Sequence, residues 1–229
     1  GSIERIKDIN VIPSPYLTGA LDQSFQLPLI PMIETTRGCP FTCTFCADGL
    51  DIKSKINRYE SQRTREELQL IAKNINKVDE LIVTDLNFGM YKQDVETAKE
   101  IANIQKNYNY PISVDAPAGK NMPKRIINIA SIMKGWSMGG VIQSSDPDVL
   151  KAIKRSNISI SAYQDLIDFG NKQKANRTYT EIILGLPSDT KERHFESLRL
   201  GVEKNVNNLR MHQAMLLTGT EMASKRDRE

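Results

Sequence analysis

The chain has 229 residues, 39% of them hydrophobic and 26% charged, with a net charge of +3. This suits a globular chain of one moderate domain or one large α/β domain, and no apolar run is long enough to span a bilayer. The small, sign-mixed charge excess gives nucleic acid no footprint, and the N-terminus lacks the apolar stretch of a secretory leader.

Gly1 and Ser2 read as an expression scar, so the natural N-terminus is expected elsewhere. After them, short β-branched or apolar runs alternate with helical patterns. The first strand is predicted over Pro28–Thr35, ending at the cysteines. Thr64 reads as a helix N-cap, with Glu67 completing a capping box, and Leu68, Ile71, Ala72 and Ile75 follow at helical spacing. Leu81–Val83 is a second strand, and Val95, Ala98, Ile101 and Ala102 mark the next helix face. Ile112–Val114 is the third strand, followed by a helix from Pro123 to Met133. Gly140–Ile142 begins the fourth strand. The stretch from Ser145 to Asp148 starts a helix, with Ser145 as its simple cap and Pro147 in the first turn. Another helix carries Tyr163, Leu166, Ile167 and Phe169. Thr178–Leu184 is the fifth strand. Thr190 opens a helix bearing Phe195, Leu198 and Val202, and Leu209–Leu217 is the sixth strand. Trp136, Met211, Met215 and Met222 read as core.

Six strands alternating with helices argue for parallel βαβ units. The fold class is therefore α/β: a partial (βα)6 TIM-like barrel, open on one side, with its functional rim at the C-terminal strand ends. A doubly wound open sheet is the competing architecture, but no Gly-rich dinucleotide fingerprint supports it. Residues 1–25 read as an N-terminal linker and 26–229 as the core.

All three cysteines of the chain fall within eight residues, Cys39, Cys43 and Cys46. An odd, tight set is a poor disulfide framework and points to a metal in a reducing compartment, hence the cytoplasm. Gly38 permits close backbone approach beside the first of them, Pro40 stiffens the loop, and Phe45 supplies an apolar wall. Three thiolates in a C-x3-C-x2-C array can hold three irons of a cubane, leaving the fourth iron open. The same trio can hold zinc if a fourth ligand joins it. The histidines available are His194, read as an exposed helix residue, and His212, read as packed or hydrogen-bonded in the last strand.

This spacing, with an aromatic residue before the last cysteine and a place after the first strand of a βα series, resembles the radical S-adenosylmethionine (SAM) superfamily. The likeness runs from about Val11 to Met222. The stretch from Ile12 to Gly19 ahead of Glu34–Cys39 is similar, more narrowly, to the linker and core of cobalamin-binding radical enzymes. Those usually carry a B12 domain N-terminal to such a linker, so this chain is expected to be a core taken from a longer protein.

The resemblance implies a 4Fe–4S cluster on Cys39, Cys43 and Cys46, with SAM chelating the open iron and cleaved to a 5′-deoxyadenosyl radical. It also implies a small-molecule substrate and an external electron donor of the flavodoxin or ferredoxin type. Cobalamin would enter through a domain outside these residues. The cofactor-contacting set it implies is Phe45, Asp85, Asn87, Asp115, Gln143, Ser144, Arg155 and Glu181. Asp85 and Asn87 stand where the family more often has a Gly-Gly-Glu segment, and their types also suit a plain turn. Gln143 and Arg155 resemble a Gln-Ser…Arg pair for the ribose or methionine moiety and its carboxylate. Glu181 resembles an acid that bonds ribose hydroxyls, with a salt bridge as the alternative. Asp115 offers a rim carboxylate, and Lys120 would face substrate or a cofactor phosphate. Rival readings are a cobalamin-independent radical enzyme, similar to methylthiotransferases or coproporphyrinogen oxidase, and a zinc-stabilised binding module without catalysis.

Overall fold

The computed structural model describes residues 6–173 and 177–224. β1 (Met32–Ile33) is followed by β2 (Thr36–Arg37), which pairs antiparallel with β3 (Asn57–Arg58). Next come α1 (Ser61–Asn74), β4 (Glu80–Val83), α2 (Asp94–Tyr108), β5 (Ser113–Asp115), α3 (Pro123–Ile132) and β6 (Met138–Gly139). The series closes with α4 (Pro147–Ala152), α5 (Ile160–Lys172), β7 (Thr178–Leu184), α6 (Lys191–Glu203) and β8 (Asn208–Gln213).

Apart from the β2–β3 clip, every pairing is parallel, in the orders β1-β4-β5 and β6-β7-β8. The two sheets join through Val114, which donates to the Gly135 carbonyl at 3.0 Å and accepts from the Ser137 N–H at 3.2 Å. Six parallel strands thus form one open array, the predicted half-barrel. Gly135 makes the seam possible: its φ is +75° and an added Cβ would lie 1.9 Å from the Ile112 oxygen, a position that only glycine fits.

Alternation along the strands separates two faces. Leu81, Val83 and Val114 are fully buried and pack with Leu68, Ile71, Ile101, Ile129 and Trp136 of the main core. The opposite face bears Glu80, Ile82, Ser113, Asp115, Ser137, Arg177 and Arg210 around a cavity of about 550 Å³. The N-terminal segment is packed down as well, because Tyr16 and Phe25 belong to the same core and the Tyr16 hydroxyl donates to the Met32 carbonyl. Among the described residues no helix is long and apolar enough to cross a membrane.

Several local expectations are corrected. α1 starts at Ser61, so Thr64 is a buried residue inside the helix and Glu67 pairs with Arg63 at 2.9 Å instead of completing a capping box. α4 is capped by Asp146, which accepts from the N–H groups of Asp148 and Val149, while Ser145 turns to Ser197. β6 lies two residues before the predicted start. Its ladder continues with one extra residue, since Gly140 donates to the Tyr179 carbonyl but Gln143 is the next to donate, to Glu181. α6 buries His194, Ser197 and Gly201, so Phe195 and Val202 face solvent. Gly201 lies where the helix approaches Leu209 and Thr180 closely. His194 is thus buried, 3.8 Å from Asp189, and not an exposed residue. His212, predicted to be packed or hydrogen-bonded, is exposed on β8, as is Met211, and Met215 beyond the strand is exposed too. β8 is an edge strand that ends at Gln213, short of Leu217. Met222 and Trp136 are buried as expected.

Candidate functional site

The cysteine loop leaves β2 and returns at β3, and the clip between those strands pins its two ends. At Gly38, φ is +109° and a Cβ would meet the Lys55 carbonyl oxygen at 2.5 Å. The two arms of the loop therefore touch backbone to backbone, and the Cys39 N–H donates to the Lys53 carbonyl at 3.0 Å. Two successive turns follow, from the Cys46 N–H to the Cys43 carbonyl and from the Gly49 N–H to the Cys46 carbonyl. They bring the three free thiols into one loop, with Cys39 and Cys43 buried and Cys46 half-buried. Phe45 packs toward Val149, Ile153, Ile183 and Leu186, anchoring the loop on α4 and the end of β7. Thr44 completes the anchorage, donating to the Ile153 carbonyl and accepting from the Met222 N–H.

Behind the loop stands Asp85, 2% exposed. One carboxylate oxygen accepts from the N–H groups of Thr35 at 2.7 Å and Thr36 at 3.0 Å, and the other accepts from the Thr35 hydroxyl. Burial raises its pKa from the ordinary carboxylate value, with the Thr35 and Thr36 bonds opposing. Both oxygens are occupied by the segment leading into the cysteines. Asn87, two residues on, donates to the Cys39 sulfur at 3.4 Å, and its buried Oδ1 has no partner among the described residues.

Two cations approach the thiols. Lys120, on the loop after β5, places Nζ 3.5 Å from the Cys43 sulfur and 4.6 Å from the Phe41 ring centroid. Arg155 is buried, donating to Asn157 at 2.9 Å and to the Val141 carbonyl. Burial lowers its pKa, and the nearby Cys43, Glu181 and Cys46 work against that effect. Lys120 and Arg155 line one narrow cleft of about 20 Å³ with Gly139 and Gly140. Beside it, Gln143 has φ +61° and a buried Oε1 without a partner among the described residues. The extra residue in the β6–β7 ladder produces this conformation, a device that re-aims a side chain at a sheet edge.

The remaining predicted residues scatter. Ser144 is turned toward α6, 3.4 Å from Ser197, and accepts from the Asp146 N–H. Glu181 lies 3.5 Å from Arg210, whose guanidinium stacks 4.0 Å over Tyr179, so the predicted alternative of a salt bridge is what this strand shows. Asp115 is exposed on the inner face, in the large cavity with Arg177 and Arg210 and not among the groups around the cysteines. Among the described residues, no three His, Cys, Asp or Glu side chains converge closely enough for a single metal ion. Three cysteine thiols in one loop offer a cubane three protein ligands and leave its fourth iron open.

Residues 33–201 match the sequence profile of the Radical SAM superfamily. The chain belongs to that superfamily. This radical SAM chain is similar to the cobalamin-dependent radical SAM methyltransferase TokK of Streptomyces tokunonensis, at 33% identity over 199 residues, covering 82% of this chain and 28% of that protein. It is equally similar to the 2-(S-pantetheinyl)-carbapenam-3-carboxylate methyltransferase of Streptantibioticus cattleyicolor, again 33% identical, with the same 82% and 28% coverage. Among solved structures, the methyltransferase TsrM of Kitasatospora setae, with cobalamin and a 4Fe–4S cluster bound, superposes with a TM-score of 0.72 at 14% identity, covering 84% of this chain and 36% of that one. Coproporphyrinogen III oxidase of Escherichia coli gives 0.63 at 15% identity, over 95% and 51%. Those two structures establish the shared fold. The radical SAM chain described here spans little more than a quarter of the two methyltransferases it matches.

Sequence reasoning passed over a polar cluster flanking Cys39. Asp94 is 1% exposed at the start of α2 and accepts from the N–H groups of Gly89 at 2.8 Å and Tyr91 at 2.9 Å. Arg58 stacks 4.2 Å from the Tyr91 ring centroid. An acid in a first helical turn looks like ordinary dipole complementation, so no spacing signal marked this one as buried.

Proposed function

We propose that residues 26–229 are the catalytic core of a cobalamin-dependent radical SAM methyltransferase, with residues 1–25 as the linker that leads into it. Cys39, Cys43 and Cys46 would hold a 4Fe–4S cluster, and SAM would bind at the iron they leave open. When bound, the cluster supplies the electron that cleaves a sulfur–carbon bond of SAM.

The observation that carries this reading is the convergence of three free thiols with two cations and two unpartnered buried amide oxygens. A buried acceptor without a partner is costly. Asn87 Oδ1 and Gln143 Oε1 are thus built to receive donors, and SAM carries an ammonium group and ribose hydroxyls. Arg155 suits its carboxylate. Glu181 offers an acceptor to the ribose once Arg210 shares it. Asp85 and Phe45 hold the cysteine loop in place, and Ser144 holds the turn before α4. Asp115 lines the inner cavity with Arg177 and Arg210. An electron donor of the flavodoxin or ferredoxin type would reduce the cluster.

Similarity to the two methyltransferases supports methyl transfer, and their greater length supports placing cobalamin outside residues 26–229. The test is anaerobic reconstitution with iron and sulfide, then reduction in the presence of SAM. Wild-type protein should take up about four irons and release 5′-deoxyadenosine, and Cys43→Ala should lose both. A Cys43→Ala protein that loads and cleaves like the wild type would show the ligand assignment to be wrong.

A further inference from the structure

The structure assigns Lys120 the role of a positioning residue that latches the cysteine loop and tunes the group bound there, an inference that rests on the cluster reading above. Lys120 and Cys43 are 77 positions apart, yet Nζ lies 3.5 Å from the sulfur. The same ammonium sits 4.6 Å from the centroid of the Phe41 ring. One cation therefore meets two side chains of the loop, one through its sulfur and one through its π face. Lys120 springs from the turn between β5 and α3, so the contact ties the loop to the barrel. Pro117 and Gly119 hold that turn, accepting from the Phe88 N–H at 2.9 Å and donating to the Phe88 carbonyl at 2.8 Å. The lysine thus starts from fixed backbone.

The chemistry follows from charge. Reduction adds a negative charge that the cluster shares with its thiolate ligands. Hydrogen bonds to sulfur and the net charge of the surroundings set a cluster's potential. A half-buried ammonium beside the Cys43 sulfur stabilises the reduced form, and a charge-assisted bond is stronger than a neutral one. Arg155 is bound to Asn157 and to the Val141 carbonyl. Among the described residues Lys120 meets no such competing acceptor on the barrel side, and its contacts go to the loop.

The experiment compares wild type, Lys120→Met and Lys120→Arg after anaerobic reconstitution. Two readouts are used: the midpoint potential of the cluster from an EPR-monitored redox titration, and the rate of iron release to a chelator. Methionine keeps the length and apolar bulk of the stem and deletes the charge. The Met variant should titrate at a lower potential than wild type and release iron about ten-fold faster, the loss of one charge-assisted bond, while the Arg variant stays near wild type. A Met variant that folds but takes up no iron, beside an Arg variant that loads, supports the same requirement for charge. A loaded Met variant with the wild-type potential overturns the inference and leaves the cluster reading intact. Failure of both variants to load overturns it too, because charge is then not what matters. Wild-type protein that takes up no iron would sink the cluster reading and this inference together.

Discussion

Burial pushes the Asp94 carboxyl up to about 6; the Tyr91 and Gly89 N–H groups and Arg58 oppose the shift, and the Asp85 charge adds to it. The folded chain then binds this proton more tightly than the unfolded chain, whose carboxyl titrates near 3.8. The stabilisation is complete below the unfolded value and is lost as pH rises through 6, a change of about 3 kcal/mol. Urea midpoints should therefore fall from pH 4 to 7, and Asp94→Asn should flatten that part of the profile. At Asp85 both carboxylate oxygens are bonded to the segment leading into the cysteines. Asp85→Ala strands the Thr35 and Thr36 N–H groups and should cost about 3 kcal/mol, read by urea unfolding, with weaker iron loading. Its identity as a positioning residue was out of reach in the sequence, where an Asp after a strand reads equally as a turn or a ligand.

Elements show how the same chemical change differs with its surroundings. At Gly201 a Cβ would meet the Leu209 side-chain tip at 2.3 Å, whereas at Gly135 it would meet a backbone oxygen at 1.9 Å with φ at +75°. The side-chain tip can move and the backbone cannot. Gly201→Ala should cost within about 1 kcal/mol, and Gly135→Ala more than about 3 kcal/mol, as read from thermal unfolding. Sequence pattern placed α3 and β7 almost to the residue. The strands β1, β2, β3 and β6 have two residues each, too few for an alternation to register. Their partners define them, and for β6 the partner also decides where the extra residue falls.

Over the whole molecule, Trp136 holds the two halves of the array together. It is fully buried, stands edge-on to Phe88 at 5.5 Å and donates to the Ala116 carbonyl at 2.9 Å. Its backbone lies at the bridge to Val114 that joins the sheets. Trp136→Ala should cost about 3–5 kcal/mol, and hydrogen exchange should show β5 and β6 losing protection together. Loss confined to one sheet would mean that the seam is held elsewhere.

What residue order alone determined was the βα alternation and the cysteine trio. These are local patterns, written in spacing over a few residues. The tertiary structure decided which polar groups meet: that Asp85 serves the backbone of Thr35 and Thr36, that Glu181 finds Arg210, that His194 is buried, and that Lys120 reaches Cys43. Each of those pairs spans a distance along the chain at which sequence pattern carries no signal, and only the packing of strands and loops brings their charges within range.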